Sequence, residues 1–67
     1  MQNKVLINSY YELAFEFLFT NNIKDLEHYL YILWSYDEDF DIIADTLKLS
    51  RNEVGLYIIR YMHKMFD

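Results

Sequence analysis

The sequence predicts an all-α fold, a compact bundle of about four short helices whose last two form a helix-turn-helix. Apolar residues recur at three- and four-residue spacing along most of the chain, the mark of helices with one buried face. Proline is absent and Gly55 is the sole glycine, so the turn residues of a small β protein are missing. Four oxygen-bearing side chains each stand three residues before an acid: Ser9 with Glu12, Asn22 with Asp25, Ser35 with Glu38, and Ser50 with Glu53. That spacing lets a helix cap and its first turn satisfy each other's backbone N–H groups. At 67 residues the chain holds one domain and one core. Without cysteine, packing or self-association must stabilise it in place of disulfides or a thiolate metal site.

The first helix is expected near 9–20. Tyr10, Tyr11, Leu13, Ala14, Phe15, Phe17, Leu18 and Phe19 occupy nearly every side of it, with Glu12 and Glu16 as its only charges. One face can meet the core, and the rest, including Tyr11, Phe15 and Phe19, is expected to meet a second subunit, making a homodimer. The second helix, near 23–36, turns Ile23, Leu26, Leu30, Leu33 and Trp34 inward. The third, near 39–48, does the same with Phe40, Ile43, Ala44 and Leu47. The acids Asp37, Glu38, Asp39, Asp41 and Asp45 around its start read as a solvated cap that complements the helix dipole. A Ca²⁺ loop is ruled out because it needs a glycine at the sharp turn and a terminal glutamate at fixed spacing. Mimicry of DNA phosphates, with Tyr36 and Phe40 adding apolar contact, stays open. The fourth helix, near 51–65, points Val54, Ile58, Tyr61, Met62 and Met65 inward and Asn52, Gly55, Leu56, Ile59 and His63 outward. The loops are a few residues long, so these elements pack as neighbours.

The run Ile43-Ala44-x-x-Leu47-x-Leu49-Ser50 followed by Val54 places small and apolar residues where two helices cross closely. Ala44 permits the approach, Leu49 plugs the angle, Ser50 caps the second helix, and Val54 with Ile58 returns its inner face to the core. At these residues, and on through Ser50-Arg51-Asn52-x-Val54-x-x-Tyr57-Ile58-x-Arg60-x-Met62-x-Lys64, the chain resembles the helix-turn-helix of LuxR/GerE-type regulators and of sigma-factor region 4. The likeness spans 23–65 and leaves helix 9–20 outside. Lys48 stands at a turn position often held by glycine, and Gly55 where such regulators often aim a polar or basic residue at DNA. The resemblance implies a transcriptional regulator that binds duplex DNA as a dimer, with the helix from Ser50 in the major groove. Arg51 and Asn52 would then meet base edges, while Lys48, Arg60 and Lys64 hold phosphates.

The charge pattern supports two outcomes. Residues 47–67 set Lys48, Arg51, Arg60 and Lys64 against Glu53 and Asp67, for +2, whereas residues 1–46 set Lys4 and Lys24 against nine acids, for −7. The basic end coincides with the expected reading helix. The whole chain nevertheless carries −5, and DNA affinity rests largely on neutralising phosphates. The other expectation is an acidic helical adaptor or inhibitor that binds a protein of the transcription or nucleic-acid machinery through Leu56 and Ile59 or through the aromatic first helix. Catalysis is not expected: His28 and His63 lie far apart, no thiol is present, and no glycine-rich phosphate loop occurs. No cofactor or metal is expected. Asn8, Ser9, Glu12 and Glu16 interrupt any secretory signal, and no apolar run spans a membrane, so the expected location is the cytoplasm.

Overall fold

Leu26, Leu30 and Leu33 share one stripe of a helix, Ile43 and Leu47 one stripe of the next, and Val54 and Ile58 one stripe of the last. All seven are almost wholly withdrawn from water. The computed structural model describes residues 4–66, which form α1 (Lys4–Phe19), α2 (Ile23–Ser35), α3 (Phe40–Leu47) and α4 (Arg51–Phe66), with no strand among the described residues. α2 lies at the centre, packed along α1 and α4, and α3 closes the bundle against α4. α1 contributes Ile7, Tyr11 and Ala14 to the core. Burying each large aliphatic side chain is worth about 1.5–3 kcal/mol. Aromatic rings fill the seams: Tyr10 and Phe17 of α1 meet Tyr29 at 5.8 and 5.3 Å between centroids. His28 and Tyr31 of α2 meet Tyr61 of α4 at 5.0 and 4.9 Å. Among the described residues no helix is long and apolar enough to cross a membrane.

The cap pattern is only partly realised. Ser50 and Glu53 form the reciprocal pair, with the Glu53 N–H donating to Ser50 Oγ (3.1 Å) and the Ser50 N–H donating to Glu53 Oε1 (3.0 Å). Ser9 starts nothing: α1 begins at Lys4, and the Ser9 hydroxyl donates back to the Val5 carbonyl at 3.1 Å, the usual option for a serine inside a helix. Ser35 ends α2 instead of opening α3; its hydroxyl donates to the Ile32 carbonyl, and Asp39 takes the cap position. Asn22 stands at the cap of α2 but gives its amide to Asp25 Oδ2 at 2.8 Å.

Each of the first three helices stops without glycine. Asn21, Asp37 and Lys48 adopt left-handed backbone conformations, with φ of 60°, 67° and 59°. The residue after each donates its N–H five positions back: Asn22 to Phe17, Glu38 to Leu33 and Leu49 to Ala44. The left-handed residue itself donates three positions back, to Leu18, Trp34 and Asp45 respectively. These paired bonds satisfy carbonyls that a helix end otherwise leaves without partners.

Three side chains depart from their expected environments, and one of them, Trp34, expected inward on α2, is exposed. Tyr11 belongs to the core and not to an interface, because Ile7, Tyr11 and Ala14 form one stripe and the phenol donates to Glu38 Oε1 at 2.7 Å. Met65, expected inward, is exposed at the edge of the bundle beside Lys24 and Asp25 at the start of α2.

Candidate interaction face

The connection between α3 and α4 sets the geometry of the outer surface. Lys48 turns left-handed (φ 59°, ψ 38°), Leu49 packs against the core, and the Ser50–Glu53 pair fixes the first turn of α4. From there the outward stripe of α4 runs Asn52, Gly55, Leu56, Ile59, His63 and Phe66. A shallow recess of about 360 Å³ lies between this stripe and α3, lined by Phe40, Arg51, Asn52, Gly55, Leu56 and Ile59. Gly55 helps to leave it open: a Cβ there would stand 3.7 Å from the Phe40 ring, in ordinary contact.

Rings on α2 and α3 extend this stripe into one apolar face. Trp34 meets Phe40 at 6.0 Å and Tyr31 at 6.1 Å between centroids, and Tyr31 meets Phe66 at 6.0 Å. Ile59 borders both the Phe40 recess and a second one formed with Met62, His63 and Phe66. Trp34, Leu56, Ile59 and Phe66 are respectively 40%, 49%, 52% and 68% exposed, so the outer side of α4 is not filled by the chain's own core. Of these, Leu56 and Ile59 follow from the periodicity of α4. Trp34 reads as core by its spacing, and the link through Phe40 and Tyr31 joins positions distant in sequence.

The basic side chains are differently placed. Lys48, Ser50, Arg51, Asn52 and Arg60 are exposed. Arg51 Nε lies 3.2 Å from Asp41 Oδ1, and its guanidinium is 6.0 Å from the centre of the Phe40 ring. Both partners of that ion pair are well exposed, and such a pair exchanges readily for another anion. Lys64 is committed elsewhere: its ammonium stands 2.7 Å from Oε1 of Glu27, a carboxylate buried in the bundle. A phosphate would have to compete with that partner.

Acids gather at the start of α3, where Asp41 meets Arg51. Asp37, Asp39 and Asp41 are exposed around the start of α3. Trp34, Ser35, Asp37, Glu38 and Asp39 enclose a recess of about 450 Å³.

The aromatic surface of α1 is smaller than its sequence suggests. Tyr10, Phe17 and Leu18 pack against the core, while Val5, Phe15 and Phe19 remain exposed and are interspersed with exposed Asn8, Glu12 and Glu16. Among the described residues, no three histidine or carboxylate side chains converge as metal ligands. No protein-family model, no curated protein and no solved structure matches the chain.

Proposed function

We propose that this protein is an acidic helical adaptor that binds another protein through the face built on α4 by Leu56, Ile59 and Phe66 and continued by Phe40 and Trp34. The observation that carries this reading is the continuity of the face: four large apolar side chains, each at least 40% exposed, are linked by half-buried rings from two other helices. Large contiguous apolar patches on small proteins mark interaction sites. The carboxylates at the start of α3 and the pairing of Lys64 with Glu27 both weigh against a phosphate backbone on this side.

A second reading is a helix-turn-helix regulator that binds duplex DNA as a dimer. It is favoured by the three-residue turn between α3 and α4, by the Ser50 cap, and by exposed Arg51 and Asn52 at the start of α4. The LuxR/GerE-like and sigma-like pattern points the same way. On this reading Lys48 and Arg60 hold phosphates and the exposed part of α1 at Phe15 and Phe19 joins two copies.

Affinity capture from host extract, with and without nuclease, separates the two. The adaptor reading expects a stoichiometric protein that survives nuclease and is lost with Leu56→Asp, while the thermal melt of that variant stays within a few degrees of wild type. Recovery of DNA alone, abolished by Arg51→Ala with Arg60→Ala and indifferent to Leu56→Asp, would establish the regulator and remove the adaptor.

A further inference from the structure

We infer, resting on the adaptor reading, that the occupant of this face is an amphipathic helix of another protein that carries arginine or lysine at one end of its apolar stripe. The shape of the face selects a helix. Asn52 to Phe66 spans about 21 Å along α4 at the rise of an α-helix, enough for some four turns of a partner laid alongside. Leu56, Ile59 and Phe66 stand as a ridge at helical spacing, and the Phe40 rim bounds a furrow beside it; a ridge and furrow of this kind take the side-chain rows of a second helix. No strand edge exists among the described residues to recruit an extended peptide by backbone pairing.

Charge sets the chemistry and the direction of the occupant. The Trp34 ring, which meets Phe40 at the rim of the furrow, also lines a recess with Asp37, Glu38 and Asp39, whereas Asp41 is already paired with Arg51. A guanidinium or ammonium entering that recess meets an aromatic ring together with carboxylates, both of which favour a cation. A second copy of this chain fits less well. It carries the same net charge of −5, and an antiparallel pairing of α4 on α4 would bring each aspartate cluster to an end where Lys64 already serves Glu27. Duplex DNA would bring phosphate against the same aspartates.

The test is selection from a displayed library of amphipathic helices, with the polar residues fully randomised, against the complete chain. Counter-selection uses Leu56→Asp, and Trp34 fluorescence follows the binding of recovered peptides. The inference expects enriched helices with a basic residue at one end of the apolar stripe. Their affinity should fall more than ten-fold in Leu56→Asp and in Ile59→Asp, and more than ten-fold in the double variant Asp37→Asn, Asp39→Asn. Enrichment of acidic or neutral helices, failure of any helix to enrich, or affinity unchanged in the aspartate-to-asparagine variant would each overturn it. A stable dimer that Leu56→Asp dissociates would also overturn it, by assigning the face to a second copy. These failures leave the adaptor reading standing if capture still returns a protein that Leu56→Asp loses; DNA as the sole captured species removes both.

Discussion

Among the described residues Glu27 is the charged one that the fold draws inside, and a charge in an apolar interior is tolerated only when paired. Its partner lies 37 residues away on another helix. No local pattern announces that pairing, and for the same reason the sequence alone places Lys64 with the basic, outward-facing residues. Replacing Lys64 with methionine leaves the carboxylate without its cation and is expected to cost about 2–3 kcal/mol, less than for a fully buried pair because the ammonium is half exposed. Urea unfolding measures it. The Ser50–Glu53 pair, by contrast, is legible from sequence because both partners are three residues apart. Tyr11 offers a pH signature. Burial, together with the hydrogen bond to Glu38 and its charge, raises the phenol's pKa well above its ordinary value. The unfolded chain therefore releases this proton first, so the stabilisation is complete below the ordinary tyrosine pKa of about 10 and is lost as pH rises beyond it. The stability difference between wild type and Tyr11→Phe should accordingly shrink from about pH 9 to about pH 11, and a difference that stays constant would deny the shift.

At the level of elements, apolar spacing reveals where helices run better than cap chemistry reveals where they begin. Leu26, Leu30, Leu33, Val54 and Ile58 fall where the period puts them, since a buried stripe must face the core whichever residue starts the helix. Ser9 and Ser35 mislead because a serine hydroxyl that can cap a helix can also bond a carbonyl inside one, and only the tertiary setting decides. The helix ends are hidden for a different reason. Asparagine and aspartate enter the left-handed region with little strain, so Asn21 and Asp37 do the work for which a reader looks to glycine. Lys48 has no such excuse and holds a strained conformation between α3 and α4. Lys48→Gly is expected to raise stability by about 0.5–1 kcal/mol, the relief of strain being partly offset by the greater freedom of glycine in the unfolded chain. A lower melting temperature in that variant would mean that the lysine side chain contributes more than its backbone costs.

The whole molecule divides its surface by chemistry. Carboxylates crowd the start of α3, apolar rings and aliphatics follow along α4, and the last turn of α4 is fastened inward by Lys64. Two members of the apolar face, Leu56 and Ile59, are legible because an apolar residue opposite the buried stripe of a helix has no place in the chain's own core. Trp34 and Phe66 are not, because membership depends on how α2 lies against α4, which follows from the aromatic packing of Tyr31 and Tyr61. If the apolar face serves another protein, the isolated chain should sediment as a monomer of 8.3 kDa, and Leu56→Asp should leave that unchanged. The bond between Lys64 and Glu27 has a kinetic consequence as well. Terminal turns of helices ordinarily fray, and their amide hydrogens exchange with solvent almost freely. Here Lys64 ties the last turn to Glu27 of α2, so its amides should exchange more slowly than those of an untethered helix end, and Lys64→Met should return them to fast exchange.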